Sequence, residues 1–218
     1  MSDAPKIEVT RRGFLKSAGL TAATTVIESA SALAREAKEA VEGDRSVGPN
    51  ALPVKLHVNG QEHTVIIEPR YTLAETLREN LGLTGTKVVC DRGSCSACTI
   101  WLDGTPALAC MTLAIDVAGR KITTIEGLSH GDHMHPVQAA FVKHDAMQCG
   151  FCTPGMVMSC AALLERNPDP QLADVKHAVS GNLCRCGTYP KVFAATLDVA
   201  RQRKQATGLL TLDAAKEA

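Results

Sequence analysis

"CDRGSCSACTIWLDG", Cys90 to Gly104, places three cysteines within nine residues, and a fourth, Cys110, follows after eleven more. The pattern C-x4-C-x2-C with a distant fourth cysteine is a spacing with which thiolates hold a [2Fe–2S] cluster. A short loop can wrap three sulfurs around one point only where the backbone bends sharply, and Gly93 supplies that freedom. Main-chain N–H groups can then turn toward the cluster sulfides. A zinc ribbon would need two C-x2-C knuckles roughly 15 to 20 residues apart, which this stretch does not offer.

A second set lies downstream. "MQCGFCTPGM", residues 147–156, carries Cys149 and Cys152, and "GNLCRCGTYPKV", residues 181–192, carries Cys184 and Cys186. A C-x2-C pair alone suits a redox dithiol, half of a zinc site or half of an iron–sulfur site. The dithiol would follow a strand in a βαβ unit, whereas amphipathic runs flank this pair on both sides. C-x2-C followed 31 residues later by C-x-C fits no common zinc knuckle or disulfide framework, which leaves half of a second iron–sulfur site. Backbone N–H groups at the helix start around Thr153 to Gly155 would favour the thiolate charge.

Composition is consistent with this reading. The 218 residues, 45% of them hydrophobic, can bury a sizeable core and suit one large domain or two small ones. Lys plus Arg equals Asp plus Glu at 23 each, so charge does not point to nucleic acid or to an anionic membrane. Aromatics at 3% argue against base-stacking platforms.

At the N-terminus "TRRGFLK", residues 10–16, pairs Arg11 and Arg12 ahead of an uncharged stretch, the layout of a twin-arginine export signal. That stretch is too short and too diluted by Ser, Thr and Gly to anchor in a bilayer. "ALA", residues 32–34, offers a cleavage site after Ala34. The twin-arginine route carries proteins already folded around a cofactor, which spares nine thiols from meeting an oxidising periplasm unfolded. Periplasmic location is therefore expected, with residues 1–34 as signal and 35–51 as a charged linker.

Periodicity places the motifs. "VKLHVNGQEHTVII", residues 54–67, alternates on both sides of Asn59-Gly60 and predicts a hairpin. Leu73, Leu77 and Leu81 predict a helix from Thr72 to about Asn80. "TIWLDGTPAL" and "KITTIEGL" read as strands, so residues 52–127 form an α+β domain. Helices are predicted from Pro136 to about Ala146, Pro154 to Arg166, Pro170 to about Ser180 with Asp169 as cap, and Tyr189 to about Arg203. Residues 128–203 thus form a helical domain and 204–218 a tail.

Together with "HPVQ" at 135–138, "QCGFCTPGM" at 148–156 and "GNLCRC" at 181–186, the two cysteine sets make the chain resemble the small iron–sulfur subunit of molybdenum hydroxylases, the xanthine dehydrogenase and aldehyde oxidoreductase family. The resemblance covers residues 52 to about 203. It implies a β-grasp, plant-type ferredoxin-like domain followed by a four-helix bundle, each holding a [2Fe–2S] cluster. Cys90, Cys95, Cys98 and Cys110 would ligate the outer one, and Cys149, Cys152, Cys184 and Cys186 the inner one. By the same resemblance, Gln148 and Cys149 would touch a molybdopterin, in its cytosine dinucleotide form, held by a large partner subunit. The implied function is electron transfer in an oxidoreductase complex oxidising aldehydes or N-heterocycles, with an FAD subunit or a cytochrome as acceptor and no catalytic centre in this chain. Two departures stand out: Ser96 replaces the family's usual Gly, and "CGTYPK", beginning at Cys186, replaces the commoner "CTGY" and resembles export-linked aldehyde and isoquinoline oxidoreductase small subunits. A freestanding two-cluster ferredoxin would use the same sulfur chemistry, and a disulfide-stapled extracellular module would pair the cysteines instead.

Three features read more plainly. Cys160, eight residues after Cys152, suits a buried thiol that ligates nothing. His130, His133 and His135 suit a solvated loop before a helix begun by Pro136. Arg185, between two ligand cysteines, either offsets thiolate charge or tunes a potential.

Overall fold

A computed structural model of the chain describes residues 48–129 and 131–214, with side chains up to residue 206. The expected export signal and cleavage site after Ala34, His130 and most of the expected linker lie outside the described residues. The described residues from Pro49 onward pack as one compact unit.

The first half is built on a mixed five-stranded sheet. β1 (Leu52–Val58) and β2 (Gln61–Ile67) pair antiparallel through Val58 and Gln61. Asn59 (φ 51°) and Gly60 (φ 83°) both sit in the left-handed region, as a two-residue turn matched to strand twist requires. Alternation then decides the faces: Val54, Leu56, Val58, Val65 and Ile67 point inward. β3 (Thr99–Leu102) and β4 (Thr105–Leu108) repeat the device across Asp103-Gly104. β5 (Lys121–Thr123) fills the centre, giving the order β2-β1-β5-β3-β4, with β5 parallel to β1 and antiparallel to β3. "KITTIEGL" is thus a strand only at its start; Ile125–Leu128 turns into a 3-10 segment that leads to the helices.

α1 (Leu73–Glu75) starts at Thr72, whose hydroxyl accepts from the Glu75 N–H while the Glu75 carboxylate accepts from the Thr72 N–H at 2.8 Å. The helix widens into a π turn over Thr76–Asn80, where the Leu81 N–H reaches back five residues to the Thr76 carbonyl. Leu73, Ala74 and Leu77 close the sheet's core beside Leu56, Ile67, Ile100 and Ile122.

The second half holds α2 (Pro136–Lys143), α3 (Thr153–Arg166), α4 (Leu172–Ala178) and α5 (Tyr189–Ala214). With α1, five α-helices stand among the described residues. α4 begins later than expected. Gln171, not Asp169, is its cap residue, the Asp174 carboxylate accepting from the Gln171 N–H at 2.8 Å. Asp169 instead pairs with Lys204 at 2.8 Å, on α5, which runs well past the expected end near Arg203. Phe141, Met156, Met158, Leu164, Val192 and Val199 form the helical core.

Several contacts hold the halves and the segment between them together. The sole tryptophan, Trp101 on β3, donates its indole N–H to the Met158 carbonyl at 3.0 Å. Asn59 bonds Thr124 twice, Nδ2 to Oγ1 and Oδ1 from the main-chain N–H, each at 2.9 Å, so the hairpin turn also pins the crossing segment. A Cβ on Gly155, in the first turn of α3, would collide with the Ser96 carbonyl oxygen, so only glycine allows that approach. No helix among the described residues is long and apolar enough to cross a membrane.

Candidate metal centres

All nine cysteines are free thiols, and eight fall into two groups on either side of the joint. The first group sits in the loop between the π turn and β3 and just beyond β4. Asp91 (φ 51°), Gly93 (φ 73°) and Ser96 (φ 53°) all take left-handed backbone there, which curls the loop round Cys90. The Ser94 N–H donates to the Cys90 sulfur at 3.2 Å. The Arg92 N–H, the Cys95 thiol and further main-chain donors at Ser94 and Cys95 pull the Cys90 thiol down to about 7. Met111 closes over Gly93, where a Cβ would stand 3.1 Å from its Cγ. Cys95, Cys98 and Cys110 are buried, and the last two belong to the sheet's core. Burial pushes Cys98 up to about 12, with the neighbouring Cys110 and Cys95 thiols opposing a second negative charge.

The second group lies between α2 and α5. Cys149 is exposed, and Cys152, Cys184 and Cys186 are half-buried. Cys152 is pushed up to about 12 by burial, then by Cys184 and Cys149. Cys184 shares that burial, but the Thr188 hydroxyl, 3.3 Å from its sulfur, and the Thr188 and Gly187 main-chain donors bring it down to about 7. Tyr189 stitches the loop: its hydroxyl accepts from the Cys184 N–H at 2.8 Å and donates to the Asn182 carbonyl at 2.9 Å.

The thiols act on one another: Cys95 lowers Cys90, Cys110 raises Cys98, and Cys184 raises Cys152. Among the described residues no three His, Cys, Asp or Glu side chains converge as a single-ion site requires. A two-iron cluster asks for something else, two thiolates at each iron. Buried Cys98 and half-buried Cys152 would stay protonated alone, and bound iron is the kind of cation that would hold them as thiolates. The donor set therefore fits [2Fe–2S] clusters.

A cleft of about 480 Å³ runs between the groups, lined by Cys90 and Cys95 on one side and Cys149, Cys152 and Cys184 on the other. Exposed Val89, Phe151 and Leu183 rim it with apolar surface, and Arg185 adds a charge. Lys87 stands 6.0 Å from the Phe151 ring, a cation–π contact across the joint. Cys186 does not line this cleft, and Gln148 stands exposed beside Cys149.

The other sequence candidates separate cleanly. Cys160 is fully buried in α3 and pushed up to about 12 by burial, so it packs. His133 is exposed, and His135 caps α2, its Nδ1 accepting from the Val137 N–H at 3.3 Å. Tyr189 and Trp101 escaped the sequence reading because their partners are main-chain atoms, and Thr188 and Asn182 because only the fold sets which side chain they meet.

Comparison with known proteins agrees with this geometry. Residues 56–115 match the family of 2Fe-2S iron-sulfur cluster binding domains, and residues 124–197 match a [2Fe-2S] binding domain family. The aldehyde oxidoreductase iron-sulfur-binding subunit PaoA of Escherichia coli (strain K12) is 40% identical over 213 residues, covering 91% of each chain. The nicotine 6-hydroxylase small subunit of Paenarthrobacter nicotinovorans is 48% identical, over 68% of this chain and 90% of its own. Among solved structures, quinoline 2-oxidoreductase from Pseudomonas putida 86 superposes with a TM-score of 0.69 at 42% identity, over 72% of this chain and 98% of the other.

Proposed function

Because the chain belongs to the family of small [2Fe–2S] iron–sulfur subunits of molybdenum hydroxylases, we propose that its two thiol groups form one relay, inner set first, between a large subunit's molybdopterin and an outside acceptor. The chain is an electron-transfer subunit of an oxidoreductase complex and carries two [2Fe–2S] domains; the molybdopterin would belong to the partner subunit. When bound, the clusters supply one-electron carriers between that centre and the acceptor.

The observation that carries the proposal is the shared cleft, with thiols of both groups on its two walls. Cys90, Cys95, Cys98 and Cys110 would hold the outer cluster, and Cys149, Cys152, Cys184 and Cys186 the inner one. Arg92 and Ser94 main-chain donors ready Cys90 as a thiolate, and the Thr188 hydroxyl does so for Cys184. Val89, Phe151 and Leu183 shed water from the cleft once a partner covers them. Gln148 and Cys149 are exposed and would meet the pterin, in its cytosine dinucleotide form. The sheet half corresponds to a β-grasp domain and the helices after residue 128 to a four-helix bundle.

The relatives named as aldehyde and N-heterocycle enzymes support those two substrate classes, and relatives named as subunits favour an assembled complex over a freestanding carrier. An FAD subunit or a cytochrome would take the electrons. Export folded, by the twin-arginine route, is part of the same proposal. The Escherichia coli relative matches 91% of the chain, a share that residues beyond 48 cannot make up, so the likeness reaches into residues 1–48. The native complex purified from the periplasm should hold about four iron atoms per chain and show two distinct [2Fe–2S] signals by electron paramagnetic resonance. Zinc, iron near two per chain, or no co-purifying molybdenum protein would overturn the proposal. Arg11→Lys with Arg12→Lys should strand the loaded complex in the cytoplasm, since charge survives while receptor-read identity is lost.

A further inference from the structure

At the joint, the outer-set loop and the inner-set loop touch through hydrogen bonds rather than through apolar packing alone. The Leu183 N–H, one residue before Cys184, donates to the Cys95 carbonyl at 3.1 Å. Beside it the Asn182 amide donates from Nδ2 to the Ser96 carbonyl at 3.1 Å, and its Oδ1 accepts from the Ser159 hydroxyl at 3.0 Å. Asn182 and Ser159 are both buried, at 3% and 7% exposure, so each depends on the other for satisfaction. The Asn182 main-chain carbonyl is tied through Tyr189 to the Cys184 N–H.

Ser96 makes the other end of this latch. It holds left-handed backbone (φ 53°), which costs a serine more than a glycine. Three donors hold its carbonyl in place: the Thr99 hydroxyl at 2.7 Å, the Thr99 N–H at 3.3 Å and Asn182. A cleft of about 220 Å³, lined partly by Ser96, Thr99, Ser159 and Asn182, borders the latch, so the loops have room to part if it is cut.

We infer that Asn182 is a positioning residue that fixes the spacing and mutual orientation of the two cluster loops. It binds no iron and lies outside the thiol-lined cleft. It sets how strongly the two clusters sense each other. The inference rests on the ligand assignment proposed above, and the two fail in different ways.

The test uses the holocomplex, reduced and frozen, with spin–spin splitting between the two [2Fe–2S] signals as the readout. Asn182→Leu keeps the bulk and removes both hydrogen bonds; Ser159→Ala leaves Asn182 in place but unanchored. Both should keep about four irons per chain and both signals, while the splitting narrows or disappears in Asn182→Leu and narrows less in Ser159→Ala. Trp101 fluorescence reports whether the halves stay docked. Should Asn182→Leu fail to accumulate, Ser159→Ala decides alone. Unchanged splitting in a fully loaded variant would overturn the inference, as would two unsplit signals in the unaltered complex. Missing iron or a missing signal in the unaltered complex would instead sink the ligand assignment, and the inference with it.

Discussion

The two thiol groups share one chemistry and differ in surroundings. Cys95, Cys98 and Cys110 are at most 7% exposed, inside or against the sheet's core, whereas Cys149 is exposed and Cys152, Cys184 and Cys186 are half-buried. Apart from half-buried Cys90, which faces the cleft, the outer set is enclosed by its own fold. The inner set is left open at a cleft rimmed by exposed Val89, Phe151 and Leu183, surface that a soluble subunit keeps when another chain is to cover it. Ligands built into a core tie cluster loading to folding, and ligands at an open rim tie it to assembly.

Serine substitutions test that difference most sharply, because a hydroxyl is a poorer, harder ligand than a thiolate. Cys98→Ser should remove the outer signal and lower the stability of the isolated subunit, since it also places a hydroxyl in the core. Cys149→Ser should remove the inner signal, leave the outer one intact and barely shift the melting temperature. Iron content, paramagnetic resonance and thermal denaturation read all three. Equal destabilisation by both variants would erase the distinction.

Gly155→Ala probes the joint between the two regions. Its new methyl meets the Ser96 carbonyl oxygen, main chain that cannot swing aside, so a loss of about 1 to 3 kcal/mol in urea unfolding is expected. Wild-type stability would mean that α3 can shift away from the outer loop without cost.

Gln148→Ala asks whether the open side is an interface. Both clusters should survive, while affinity for the large subunit or its pterin falls by about 1 to 3 kcal/mol, the cost of an unmet buried polar group. Unaltered affinity and turnover would remove Gln148 from the contact.

The smallest effect is expected in acid. Asp198 on α5, with its side chain 15% exposed, is held down to about 2 by Lys143 at 2.7 Å and His144 at 2.9 Å, both from the end of α2. Its folded value lies below the unfolded 3.8, so its contribution is complete above about pH 4 and disappears as pH falls toward 2. Asp198→Asn should flatten that limb of the stability curve. An identical acid limb in the variant would show that the α2–α5 clamp contributes nothing.

Much of the molecule was legible before any coordinates. Cysteine spacing is a chemical constraint written along the chain, because ligands on a short loop must lie a fixed number of residues apart, and so both candidate sets could be read directly. The Asn59-Gly60 hairpin and the helices after residue 128 were readable because turn chemistry and apolar period are local. Local rules were weakest at element ends: the cap of α4, the π turn after α1 and the end of β5 depend on which neighbour a main-chain group finds.

What tertiary structure alone decided was the meeting of the two halves. Gly155 reads as one more helix-start glycine, and Ser96 as a departure from a motif, until folding brings the Ser96 carbonyl against Gly155 and under the Asn182 amide. Ser96 and Asn182 are 86 residues apart, and their bond joins a main-chain oxygen to a side-chain amide. No periodicity or spacing encodes such a pair, because the backbone acceptor is the same at every residue and only the fold determines which one is within reach.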